Sequence, residues 1–109
     1  MAVPACTISK RQDALKITAW KNRAAMLFTN NETATLSSCR LTLSGRDGVW
    51  QAEVKDRVAP TKTTIVPWYY FRTGNNLPMS RDRGVGGDTL VVTCSLGEDE
   101  PERSASFQL

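Results

Sequence analysis

The sequence predicts an all-β domain in which two antiparallel sheets, with about seven short strands in total, pack against each other. Three observations predict this fold class. Apolar and polar residues alternate through much of the chain, β-branched and aromatic residues are frequent in the alternating segments, and turns rich in glycine or asparagine separate them. With 109 residues, 40% of them hydrophobic and 23% charged, the chain suits one folded domain spanning residues 1–109.

Seven segments carry the strand pattern. In the first, Leu15, Ile17 and Ala19 share one face of the predicted strand. We expect residues 1–13, which precede it, to form an irregular N-terminal arm with a helical turn near Lys10. The other predicted strands cover residues 24–29, 40–43, 49–54, 61–66, 89–95 and 104–109.

A polar stretch, residues 30–35, separates the second and third predicted strands. Within it, Asn31-Glu32-Thr33 matches the acceptor triplet for N-glycosylation. Such triplets are common by chance, and asparagine-rich stretches between strands also form turns whose side chains bond to their own backbone. We favour the turn, with Leu27, Leu41 and Leu43 on the flanking strands entering the core.

Composition argues against several functional classes. The net charge is only +3 and the basic residues form no stripe, so we expect no nucleic-acid partner. Uninterrupted apolar stretches stay far short of the roughly 20 residues of a transmembrane helix, so we expect no membrane span. Histidine is absent. It is the side chain that most often acts as a general acid or base, and it is the commonest metal ligand. We therefore expect no enzyme activity, no catalytic residue, no metal and no cofactor.

Residues 27–43, LFTNNETATLSSCRLTL, combine a strand, an asparagine-rich turn and a strand. This run resembles part of many bacterial extracytoplasmic immunoglobulin-like domains, including FxLYD-type modules. The chain also resembles true immunoglobulin domains, because Cys39, Trp50 and Cys94 follow their Cys, Trp, Cys order, although Val92 replaces the tyrosine of the tyrosine corner. The resemblance implies an immunoglobulin-like sandwich with an interaction or structural role in an extracytoplasmic location, whether periplasmic, cell-surface or secreted.

The three cysteines, Cys6, Cys39 and Cys94, allow at most one disulfide within the chain. Strand alternation points Cys39 and Cys94 inward, so a bridge between them is conceivable. Such a bridge would indicate an oxidising compartment. The alternative is that both are free cysteines acting as small buried hydrophobic residues, and the sequence leaves the two readings open.

The segment PWYYF contains four consecutive aromatic residues. If a strand continues through them, Trp68 and Tyr70 face one side while Tyr69 and Phe71 face the other. One pair would then be exposed, as a platform for a sugar ring or a protein partner. The alternative, which we favour, is that the edge of the sandwich buries all four.

Residues 72–89 form a predicted long loop that carries Arg72, Arg81 and Arg83. Its glycines would let backbone N–H groups converge on an anion, but the Gly-Lys-Ser/Thr ending of a phosphate-binding loop is missing. We favour a flexible connection between strands, although long loops are often functional. The acidic stretch at residues 98–102 offers carboxylates for Ca²⁺, but it matches no EF-hand spacing, and a solvated hairpin tip is the favoured interpretation.

Two functional hypotheses follow from these patterns. The first is a non-catalytic interaction or structural module that binds a protein partner through its edge strands and the loop at residues 72–89. The second is a carbohydrate-binding module that uses Trp68 and Tyr70, with Trp20 or Trp50 as a third platform.

Overall fold

The computed structural model describes residues 14–45, 48–75, 89–97 and 100–109. These residues form a three-stranded antiparallel sheet in the order β1-β2-β5 and a four-stranded antiparallel sheet in the order β4-β3-β6-β7. The predicted all-β, two-sheet antiparallel sandwich of about seven strands is therefore confirmed. The strands are β1 (Ile17–Lys21), β2 (Ala25–Asn30), β3 (Ser37–Gly45), β4 (Gly48–Val54), β5 (Thr63–Pro67), β6 (Thr89–Ser95) and β7 (Arg103–Gln108).

The core lies between the two sheets, and alternation along each strand decides which side chains enter it. Strand β2 turns Met26 and Phe28 inward, and β3 turns Leu41 and Leu43 inward, all of them fully buried. Leu27 is only half-buried and lies outside this core cluster, so the prediction that it enters the core is wrong. The other strands and connections contribute Leu15, Leu36, Trp50, Ala52, Val58, Val66, Trp68, Phe71, Leu90 and Val92.

Strands β3 and β6 are joined through a β-bulge. The register shifts between Ser37 and Arg40, so Ser38 and Cys39 together lie opposite Cys94. Ser38 has a φ of 50°, in the left-handed region that residues other than glycine rarely adopt. The bulge leaves Ser38 exposed while the neighbouring Cys39 is buried.

The turn after β2 is organised by a buried asparagine. Asn30 has no exposed surface, and its amide nitrogen donates to the carbonyl oxygens of Ala34 and Val58, both at 2.9 Å. Its side-chain oxygen accepts the Glu32 N–H at 2.7 Å. Because buried polar groups are costly unless they are hydrogen-bonded, these bonds hold the turn to the segment before β5.

The same turn fixes the start of the described chain. Glu32 is mostly buried, and its Oε2 accepts the Lys16 N–H at 2.9 Å and lies 3.8 Å from Arg103 Nη1. Leu15 donates its N–H to the Ser104 carbonyl at 2.9 Å before the chain crosses to the other sheet as β1. The favoured turn is thus what the structure shows between β2 and β3, and it links both sheets.

Replacing Asn30 by alanine removes three hydrogen bonds and leaves the Ala34 carbonyl and the Glu32 N–H without this partner, while the Val58 carbonyl keeps its bond from the Leu36 N–H. We expect Asn30→Ala to lower the free energy of unfolding by about 2–4 kcal/mol, since each unsatisfied buried group costs about 1–3 kcal/mol and the structure relaxes in part. Urea unfolding of the purified protein measures this loss.

Asn31→Ala is the matched control. Asn31 is exposed and donates one side-chain hydrogen bond, to Thr18 Oγ1 at 2.7 Å. Its removal should change the stability by no more than about 0.5 kcal/mol. Equal losses in the two variants would contradict the role assigned to Asn30.

Candidate functional site

The four consecutive aromatic residues do not continue strand β5. The strand ends at Pro67, and Trp68–Tyr70 form one turn of 3₁₀ helix in which the Phe71 N–H donates to the Trp68 carbonyl at 3.0 Å. The proline ring holds the φ of Pro67 at −56°, outside the usual strand range, and the chain leaves the sheet after the Trp68 N–H donates to the Ala24 carbonyl at 3.2 Å. The expectation that Trp68 shares a face with Tyr70, and Tyr69 with Phe71, is therefore wrong.

The three-residue spacing of this turn pairs Trp68 with Phe71. Both side chains are buried, their ring centroids lie 5.7 Å apart, and Trp68 Nε1 donates to the Asn22 carbonyl at 3.1 Å. Trp68 is thus a core residue and offers no platform for a sugar. Tyr69 and Tyr70 are 55% and 52% exposed and pack edge to face, so the alternative that all four aromatics are buried is also wrong.

The structure does not bring the other predicted site residues together in one site. Trp50 is buried in the core. Arg72 exchanges two backbone hydrogen bonds of 2.8 Å with Gln51 at the outer side of β4. The N-terminal arm with Cys6, the loop residues Arg81 and Arg83, and acidic residues 98 and 99 lie outside the described residues. Within the described ranges no group of three or more Cys, Asp or Glu residues could hold a metal, and no helix is long and apolar enough to cross a membrane.

Cys39 and Cys94 form a disulfide, and both are fully buried. The bridge joins β3 and β6, which are neighbours in the four-stranded sheet. In immunoglobulin domains the corresponding bridge connects the two sheets. The alignment of Cys39, Trp50 and Cys94 with that Cys, Trp, Cys order is therefore wrong in position, since Cys39 lies on the third strand and Trp50 on the fourth.

An apolar row crosses the outer face of the three-stranded sheet. The register places Trp20 of β1 opposite Leu27 of β2, and Leu27 opposite Ile65 of β5. Trp20 is 42% exposed and Ile65 is 62% exposed, with the half-buried Leu27 between them. Because directly opposed residues of a sheet lie on the same face, these three side chains form one continuous row.

Threonines flank the apolar row on one side. The same registers align Thr18, Thr29 and Thr63, and the Thr29 and Thr63 hydroxyl oxygens lie 2.7 Å apart in a hydrogen bond. On the other side, Ala25, which is only 2% exposed, is paired with Pro67. We call this set the uncharged face, and its members are Thr18, Trp20, Ala25, Leu27, Thr29, Thr63, Ile65 and Pro67.

The outer face of the four-stranded sheet is different. Arg40 lies opposite Glu53 and bonds to Glu102 at 3.1 Å, next to a depression of about 380 Å³ that Lys55 also lines. These charged groups are exposed and partly paired with one another, as expected of an ordinary solvated surface. The uncharged face is distinctive by comparison, because none of the eight described residues that form it has a charged side chain.

Comparisons of the chain with protein-family models, with curated proteins and with solved structures find no match. The uncharged face is accordingly identified as the candidate site by its geometry and composition.

Sequence reasoning found Trp20 as a third platform but missed Leu27 and Ile65 as surface residues. Their place in one row depends on the pairing of β2 with β1 and β5. The signal in the sequence is that β2, AMLFTN, has apolar residues at both odd and even positions. Both faces of this strand are therefore partly apolar, although only one of them packs into the core.

The disulfide closes a separation of 55 residues along the chain. In the chain-entropy description such a bridge stabilises the fold by about 4 kcal/mol, and measured values are typically about 2–4 kcal/mol. We expect the double variant Cys39→Ala/Cys94→Ala to lose about that much in urea unfolding. Thiol counting of the denatured, unreduced native chain should detect Cys6 alone, whereas three reactive thiols would contradict the bridge.

Proposed function

We propose that this protein is a non-catalytic interaction or structural module and that it contacts a protein partner through the uncharged face. The observation that carries the proposal is the row of Trp20, Leu27 and Ile65 across three strands. The centres of protein interfaces are depleted of charged residues and enriched in aromatic ones, with a polar rim around them. The apolar row and the flanking threonines have this arrangement.

The chemistry of the face favours binding over catalysis. None of its eight side chains has a group that is ionised near neutral pH, and the polar groups are threonine hydroxyls and the Trp20 indole N–H. Two of these hydroxyls already bond to each other, and Thr18 accepts a bond from Asn31. Such a surface provides neither a general acid nor a general base, while it provides apolar area for contact.

We further infer that the sandwich is immunoglobulin-like. Support comes from the grouping of β1, β2 and β5 in one sheet and of β3, β6 and β7 in the other, which corresponds to strands A, B, E and C, F, G of that fold. Strand β4 pairs with β3 and not with β5. The buried disulfide supports an extracytoplasmic location, periplasmic, cell-surface or secreted, because such bridges persist in oxidising compartments.

A photo-crosslinking amino acid at position 65, in the cells that make this protein, tests the contact surface. Val49 is the matched control, since it is 51% exposed but lies on β4 in the other sheet. We expect one defined protein adduct from position 65 and none from position 49. With the purified adduct partner, Ile65→Lys should weaken binding at least about tenfold, because a charge would enter an apolar contact, while Val49→Lys should leave it unchanged.

The outcome that would contradict the proposal is equal labelling from both positions, or a partner whose affinity is insensitive to Ile65→Lys. Circular dichroism of both lysine variants provides the folding control. Both positions are exposed, so the lysines should be tolerated there.

Carbohydrate binding is the second candidate function, with Trp20 and Tyr70 as its platforms. It is favoured by one observation, namely that Trp20 is the exposed member of the three tryptophans, beside threonine hydroxyls, while Trp50 and Trp68 are buried. A sugar stacked on Trp20 would shift the intrinsic fluorescence during titration with a panel of polysaccharides, and Trp20→Phe would remove the shift. No shift with any polysaccharide would contradict this candidate.

A further inference from the structure

Strand β5 is an edge strand with no charged residue. It closes one side of the three-stranded sheet and reads Thr-Thr-Ile-Val-Pro. Natural edge strands are usually protected by lysine, by a bulge or by a covering segment, because their unpaired N–H and C=O groups otherwise accept another strand. Within β5 the single feature of this kind is Pro67, at its end.

The hydrogen bonds to β2 show which groups of β5 point away from the sheet. The Asn30 N–H donates to the Lys62 carbonyl, and the Trp68 N–H donates to the Ala24 carbonyl. Antiparallel ladders alternate between hydrogen-bonded and non-hydrogen-bonded pairs, so residues 64 and 66 also face β2. The N–H and C=O groups of Thr63 and Ile65 therefore point to the free side of the sheet.

The other sheet edges differ in the described residues. Arg72 bridges the outer side of β4 at Gln51, and the Leu15 N–H occupies the Ser104 carbonyl on the outer side of β7. Strand β1 ends in Lys21, a charge of the kind that protects edges. Strand β5 is thus the described edge best suited to accept another strand.

We propose that β5 pairs in antiparallel orientation with β5 of a second copy of this chain, about a two-fold axis through Thr64. In this register Thr63 lies opposite Ile65 of the second copy, and Ile65 lies opposite its Thr63. Each pair brings outward N–H and C=O groups together and exchanges two hydrogen bonds. No charge lies on either strand to oppose the contact.

The pairing between the two β5 strands cannot extend beyond this segment in either direction. Pro67, which has no N–H to donate, falls opposite Thr61 of the second copy. Thr61 has a φ of 69° and so leaves the extended conformation that a ladder requires. The pairing is consequently limited to one short segment and closes as a dimer, without the open-ended addition of further copies.

Pairing of two copies would enlarge the uncharged face, which is small in one copy. This step of the inference rests on the proposed function. Three strands of five residues span about 14 Å by about 17 Å, or roughly 240 Å², well below the roughly 800 Å² that each partner buries in a standard interface. Edge pairing would join two three-stranded sheets into a six-stranded sheet, which doubles the uncharged face offered to a partner.

Analytical ultracentrifugation from micromolar to millimolar concentration tests the pairing. We expect a reversible dimer of the native chain that Thr63→Pro weakens at least about tenfold by removing an outward N–H, since proline is tolerated at the first residue of a strand. Trp20→Ala, on the far strand of the same face, and Val49→Lys, on the other sheet, should leave dimerisation unchanged.

A covalent trap tests the register. At the two-fold axis the two copies of residue 64 form a non-hydrogen-bonded pair with Cα atoms about 4.5 Å apart, within disulfide reach. In a Cys6→Ser background, Thr64→Cys should give a covalent dimer on oxidation, and Val49→Cys should not.

Three outcomes would overturn the inference. They are a native chain that stays monomeric at all concentrations, a dimer that survives Thr63→Pro but is lost in Trp20→Ala, and equal cross-linking from positions 49 and 64. The second would mean that two copies meet face to face, and it would leave the uncharged face as a contact surface. In the crosslinking test at position 65, an adduct with a second copy of this chain reports the pairing, and only an adduct with a different protein supports the proposed function.

Discussion

The pairing of the central strand β2 with both of its neighbours is the constraint on which the candidate site depends. Its inward residues, Met26, Phe28 and Asn30, are fully buried against the other sheet or in the turn that follows. Side chains alternate with a period of two, so the remaining residues of β2 must face outward. A shift of one residue in this register would place Leu27 in the core. It would also move the Asn30 side chain away from its three hydrogen-bond partners.

Most of the strand content could be predicted from the sequence, because alternation and turn residues are local signals. The predicted strand at residues 89–95 coincides with β6, and the one at 49–54 starts a single residue after β4 begins. The 3₁₀ turn at Trp68 was missed, because a period-two pattern cannot detect pairing of residues three apart. Pro67 was the local signal for it.

Sheet membership and register could not be predicted in the same way, since both depend on contacts between residues far apart in the chain. Cys39 and Cys94 were expected to point inward, and they do. Their placement on neighbouring strands of one sheet follows from the pairing of β3 with β6. The alignment of Trp20, Leu27 and Ile65 likewise requires two strand registers, so the sequence indicated one of the three residues and the structure supplied the row.

We expect the uncharged face to be covered by a partner when the protein is in its native setting. Hydroxyl-radical footprinting, performed on the protein in its own cells and on the dilute purified chain, measures this most directly. Trp20, Leu27 and Ile65 should lose reactivity in the native setting, while the comparably exposed Val49 should keep it. Unchanged reactivity of Trp20 and Ile65, with protection confined to the four-stranded sheet, would contradict this expectation.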